Sequence, residues 1–232
     1  MSKRTSSESS GSGSAVWPFG HGGASNGPFN LLKQRPWQSN DYGELFQASP
    51  DDYKQLKKMD VSVSLANITG GSMFGPYFNT KAIKIALVID GSGNIEMARP
   101  HLSSSRGQEQ QQQGSGSYKK IEARISRGDI YVVPSGHPIV TVSSGHQNLE
   151  AVCFEINTEG NEKIDLAGKN DVLNQLEKEA KELSFNITAK EVEDILSNQK
   201  ESFFFPGPQN WQEQDRAFKY RMVAYVYLCC RL

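Results

Sequence analysis

The stretch from residue 83 to residue 97 carries the clearest hydrophobic pattern in the chain. Ile83, Ile85, Leu87 and Ile89 put apolar side chains at the odd positions, and Ala86 and Val88 make the other face apolar too. Period-two alternation predicts a β-strand, and apolar side chains on both faces predict one buried on both sides. Asp90-Gly91 supplies a hairpin turn, and Ile95 and Met97 follow in phase. Ile121, Ala123 and Ile125 alternate with Glu122, Arg124 and Ser126, which predicts a half-exposed strand. Arg127-Gly128-Asp129 reads as a tight turn, and 130–133, 139–142 and 149–156 as three more strands. Many short strands joined by Gly-rich turns predict a β-sandwich or barrel.

After residue 160 the period changes. Asp171 is placed to cap a helix carrying Leu173, Leu176, Ala180 and Leu183 at 3-4-3 spacing. Thr188 and Glu191 form a capping box ahead of a second helix with Val192, Ile195 and Leu196 on one stripe. The run Phe203-Phe204-Phe205-Pro206 is apolar throughout and calls for burial.

Composition adds boundaries. Residues 1–27 are rich in Ser and Gly, which predicts a disordered linker. The expected organisation is this linker, a β-barrel over 28–160 with a mobile Gln-rich loop at 103–117, a helical extension over 161–208, and an aberrant tail at 209–232. The 232 residues carry 25 basic and 26 acidic side chains without a block of one sign, so nothing points to nucleic acid or a membrane surface. No apolar run approaches the roughly 20 residues of a membrane helix. The opening MSKRTSSESSGSGS lacks the apolar segment of a signal peptide. Of three cysteines, Cys153 reads as a small buried hydrophobe, and Cys229 and Cys230 are adjacent near the end, so no disulfide framework or zinc pattern emerges.

Several segments together resemble the C-terminal cupin half of a vicilin-type 7S seed storage globulin. They are PFNLLKQRP (28–36), NDYGELFQA (40–48), DVSVSLANITGGSMFGPYFNTKAIKIALVIDGSGNIEMARPHL (60–102), RGDIYVVPSGHPIVTV (127–142) and ESFFFPGP (201–208). The resemblance implies a mainly β fold, a cupin barrel of jelly-roll or double-stranded β-helix type followed by a short α-helical hairpin. It also implies a nutrient reservoir without catalysis, a homotrimer docked through the hairpin stripes, delivery by the secretory route to a protein storage vacuole, and allergenicity. The 29 Asn and Gln residues, about one in eight, suit a nitrogen reserve.

Metal-binding cupins resemble one another in a His-x-His…Glu motif and a later Gly…His motif. Tyr77 and Asn79 stand at the two histidines, Lys84 at the glutamate and Ile139 at the last histidine. Divalent ions need imidazole nitrogens or carboxylates converging on them, so no metal and no cofactor is expected. Lys84 is expected to carry its head group to water at the barrel rim. Some vicilins are similar in carrying Cys-Pro-His at the exit of the hairpin. Here Ala98-Arg99-Pro100-His101 replaces the thiolate with a cation, and leaves His101 and His137 as an alternative, weak copper pair. The other alternative is a metal-free cupin pocket for a small organic ligand. Asn67-Ile-Thr69 and Asn186-Ile-Thr188 are glycosylation candidates, with Asn186 the better placed ahead of a helix.

Overall fold

The computed structural model describes residues 27–99 and 119–208. The Ser/Gly-rich linker, the Gln-rich segment 103–117, His101 and the tail 209–232 lie outside the described residues. Two antiparallel sheets face each other. The first runs β1 (Gln38–Asn40), β2 (Gly43–Ala48), β3 (Val61–Ile68), β10 (Leu149–Ile156), β5 (Ile83–Asp90) and β8 (Ile130–Val133), in that spatial order. The second runs β11 (Lys163–Asp165), β4 (Ser72–Asn79), β9 (Ile139–Ser143), β6 (Ser92–Arg99) and β7 (Lys119–Ser126). The last strand, β12 (Phe204–Pro206), also pairs with β4, at Ser72 to Phe74, while β11 pairs at Tyr77 to Asn79. Non-consecutive strands thus lie side by side, as the jelly-roll expectation requires.

The chain makes these strands for local reasons. In β3 burial alternates strictly, with Ser62, Ser64, Ala66 and Ile68 inward. Gly91 closes the β5–β6 turn at φ +79°, where a Cβ would collide with the carbonyl of Asn148. The Arg127-Gly128-Asp129 turn is held by Asp129, whose carboxylate accepts from the Ser126 backbone N–H at 2.7 Å and from its hydroxyl at 3.0 Å. Gly75-Pro76 lies within β4. The pairing with β9 shifts register there, between Phe74 and Tyr77.

One half of the barrel interior is apolar. Leu45, Ile68, Phe74, Val88, Ile95, Leu149 and Phe204 form its core. The aromatic run at 203–205 closes this end: Phe204 stacks on Phe74 at 4.8 Å between ring centroids, and Phe203 meets Trp37 edge-on at 4.9 Å.

The helical extension differs from its expected form. Asp171 does cap, accepting from Leu173 N–H at 2.8 Å, but the turn it starts is a 3-10 helix, Val172–Gln175. The backbone becomes extended at Leu176 and helix resumes as α1 (Lys178–Phe185). One continuous helix is therefore replaced by two short pieces. α2 (Ala189–Leu196) opens with the expected capping box: Thr188 Oγ1 accepts from Glu191 N–H, and the Glu191 carboxylate accepts from Thr188 N–H. Val192 is buried, whereas Leu183 (85% exposed) and Ile195 (64%) are not. Lys181 and Glu193 join the two helices at 3.4 Å.

The expectation for β5 is half met. Its even face, Lys84, Ala86 and Val88, is buried, but on the odd face Ile83 is exposed and Ile85, Leu87 and Ile89 are only half-buried. Among the described residues the strand is covered on one side.

Candidate functional site

The interior of the first sheet changes character from one end to the other. Register places Ala66, Ala151 and Val88 in one row, Ser64, Cys153, Ala86 and Tyr131 in the next, and Ser62, Glu155, Lys84 and Val133 in the last. Apolar side chains thus give way to small ones and then to a charged pair directly opposed across β5 and β10. Cys153 is buried as a small side chain, as expected.

Lys84 corrects the sequence expectation. It does not reach the rim: it is 4% exposed, its Nζ donates to Tyr77 Oη at 2.5 Å, and it lies 5.1 Å from the centre of the Phe74 ring. Glu155, 3% exposed, accepts from Asn79 Nδ2 at 3.2 Å and from the Ser62 hydroxyl at 3.3 Å, and pairs with Lys163 at 3.2 Å. Lys163 in turn lies 5.4 Å from the Trp37 ring and 5.5 Å from the Tyr77 ring.

The electrostatics follow from burial and neighbours. Burial opposes ionisation of Glu155, but Lys163, Lys84 and the Asn79 amide outweigh it and hold the carboxyl below its ordinary range. Burial pulls Lys163 down; Glu155 resists this and the charge of Lys84 reinforces it. Burial works against Lys84 as well, but the surrounding Cys153, Tyr77, Tyr131 and Glu155 hold its ammonium well above the ordinary value. Burial pushes the phenols of Tyr77 and Tyr131 up. The surroundings therefore favour Lys84 as ammonium, Glu155 as carboxylate and the tyrosines as neutral phenols, and weaken the hold of Lys163 on its proton.

Three of the four positions where metal cupins keep ligands are thus tied into this network or beside it. Tyr77 is spent on Lys84, Asn79 on Glu155, and Ile139 brings a hydrocarbon side chain to the strand opposite Tyr77. Lys84 brings a positive charge. This donor set does not fit a divalent ion, and no cluster of three His, Cys, Asp or Glu side chains suited to a metal occurs among the described residues. His137 is half-buried with Nδ1 2.9 Å from the Ser135 carbonyl oxygen. Its suggested partner, His101, is outside the described residues.

Sequence reasoning missed Glu155, Lys163 and Asp165. A signal existed for the first: Glu155 is a charge out of phase in an apolar strand, and it matches Lys84 in the same predicament. Lys163 and Asp165 sit on the short edge strand β11, where three residues give no periodicity. Asp165 is 5% exposed, and neither of its carboxylate oxygens has a hydrogen-bond partner. Burial raises its pKa to about 7, against the pull of Lys163 and with help from Asp171.

The glycosylation candidates differ in setting. Asn67 lies in β3, paired on both sides, and its side-chain oxygen accepts from Asn148 at 3.1 Å. Asn186 is exposed at the left-handed end of α1, φ 55°.

This two-sheet barrel, with its interior open to substitution at the ligand positions, defines a cupin architecture. The chain belongs to the cupin family, whose model matches residues 29–193. Its relatives within that family are vicilins. It is 52% identical to the vicilin Cor a 11.0101 of Corylus avellana over 199 residues, covering 86% of this chain and 42% of that protein. The crystal structure of hazelnut vicilin matches with a TM-score of 0.72, covering 80% of this chain and 49% of that one. A vicilin from Solanum melongena, described as holding different anionic ligands in structurally similar pockets, matches at 36% identity and a TM-score of 0.70, covering 78% of this chain and 45% of that one. The chain spans about half the length of these vicilins.

Proposed function

We propose that this chain serves as a seed storage globulin, part of a nutrient reservoir of vicilin type, and that its cupin corresponds to the family's second barrel. The observation that carries this reading is the state of the barrel interior. Of the positions a catalytic cupin needs for its ion, Tyr77 and Lys84 are hydrogen-bonded to each other, Asn79 is bonded to Glu155, which pairs with Lys163, and Ile139 is apolar. The kinship with vicilins supports the same conclusion. Storage asks for a durable, dense barrel and no turnover. Delivery to a protein storage vacuole and assembly as a trimer belong to this reading. The exposed Leu183 and Ile195 on the helical extension are the docking contacts it assigns. The test is the chain's fate in the seed: quantitative mass spectrometry should find it abundant at maturity and depleted during germination. A trace protein whose level is constant through germination would contradict the proposal.

A second reading is favoured by the charge count. Two basic groups, Lys84 and Lys163, face one buried carboxylate, Glu155, and Asp165 adds a second carboxylate only when ionised, above about pH 7. Such an interior suits a small organic anion at acidic pH, and the eggplant vicilin is described as holding anions. Calorimetric titration with small carboxylates should show binding at pH 5 that weakens at pH 8 and is lost in Lys84→Met. Equal affinity in that variant would refute it.

A further inference from the structure

Among the described residues, α1 and α2 pack chiefly on each other and on the 3-10 turn Val172–Gln175. The helical extension is bracketed by two short strands on β4, β11 before it and β12 after it. β12 is anchored by Phe204 and Phe205, both fully buried. β11 is held differently. Lys163 stands opposite Asn79 in the ladder and reaches Glu155, and Asp165 stands opposite Tyr77. Just beyond, Leu166 N–H donates to the Pro76 carbonyl at 3.0 Å, and Lys169 N–H to the Glu201 carbonyl at 2.9 Å. Asp165 sits among these ties and makes none with its own side chain: it is buried, and both carboxylate oxygens lack a hydrogen-bond donor. The groups that face it are Lys163 from its own strand, Asp171 from the loop that follows and the neutral Tyr77 phenol from β4. Lys163 is already paired with Glu155 of β10, and Asp171 caps the 3-10 turn. A carboxyl so placed costs little to bury when neutral and much when charged.

We propose that Asp165 is a proton-operated latch: protonated, it lets β11 and the helical extension lie docked on the barrel; ionised, it releases β11 through α2 as one local unit while the barrel stays folded. Three observations select this residue and this unit. No donor meets the carboxylate, so its lost hydration goes unreplaced when it ionises in place. β11 is a three-residue strand at the sheet edge, with β4 as its single neighbour, so little ladder has to break. The buried aromatic rings of β12 keep the chain beyond the extension in place when β11 leaves. The sign follows from the two protonation states. Docked, Asp165 holds its proton up to about pH 7; released into water it holds it only to about its ordinary 3.8. Docking is therefore strongest in acid. Between those two values each pH unit favours the open, ionised form by about tenfold, and above pH 7 the effect levels off. Glu155 is held below the ordinary carboxylate range, so its proton does not move from pH 5 upward.

The test is hydrogen–deuterium exchange of the full chain from pH 5 to pH 8, corrected for the intrinsic pH dependence of amide exchange. The expected result is protection over 163–196 that falls about tenfold per pH unit between pH 5 and pH 7 and levels off above, while β3 and β10 keep theirs. In Asp165→Asn the fall disappears. The curve of the unsubstituted chain decides the matter alone if that variant does not fold. Protection over 163–196 that is the same at every pH, a fall that persists in Asp165→Asn, or a parallel loss in β3 and β10 would overturn the proposal.

Discussion

Asp165 is where a single residue most clearly opposes the fold. Its carboxyl is raised from an ordinary 3.8 to about 7, so the folded state prefers it protonated. The associated stability is fully present below about pH 4 and is lost as pH rises through 7. The penalty at pH 8 is on the order of 4 kcal/mol. Asp165→Asn is expected to raise the urea midpoint at pH 8 and to leave it nearly unchanged at pH 4. Glu155 behaves in the opposite sense: its lowered pKa contributes stability above the ordinary carboxylate range that is lost as pH falls through the folded value. Glu155→Gln leaves the buried Lys84 and Lys163 without their carboxylate. A loss of about 3–5 kcal/mol is expected in chemical denaturation at pH 7. Replacement of Lys84 by Met should cost less, because Glu155 keeps Lys163. The residue types at the ligand positions were legible in the sequence, and they sufficed to argue against a metal. The direction of Lys84 was not, because a lysine at a strand end reads equally as rim or interior until Tyr77 and Glu155 are placed around it.

At the scale of elements, strands were easier to read than helices. Period-two alternation in β5, β7 and β10 survives folding because one face of each strand meets the same interior. The break between Leu176 and Lys178 left no mark in the apolar spacing: Leu173 and Leu183 keep helical phase across a segment that is not helical. Local capping decided the outcome at α2, where Thr188 and Glu191 satisfy each other. Thr188→Ala is expected to destabilise this helix by about 1 kcal/mol. The measurable consequence is faster amide exchange over 189–196 with the barrel strands unaffected. Asn186 ends α1 at the surface while Asn67 is held within a three-strand ladder, so mass spectrometry of chain secreted from a plant host should find glycan at Asn186 in preference to Asn67.

The whole molecule joins these scales. The first sheet is polar inside at one end and apolar outside, the second sheet and the aromatic run at 203–205 close the other end, and a short helical extension leaves Leu183 and Ile195 in water. The donor set of the interior does not suit a divalent ion. On this reading Tyr77, Asn79 and Lys84, held in hydrogen bonds, and the apolar Ile139 beside them leave no seat for a catalytic metal. Elemental analysis of chain purified without chelators, before and after dialysis against a mixture of zinc, copper, manganese and iron, tests it most directly. The account predicts no metal at stoichiometric level in either sample. One bound ion per chain, lost when Tyr77 or Asn79 is replaced by Ala in a variant that still folds, would contradict it.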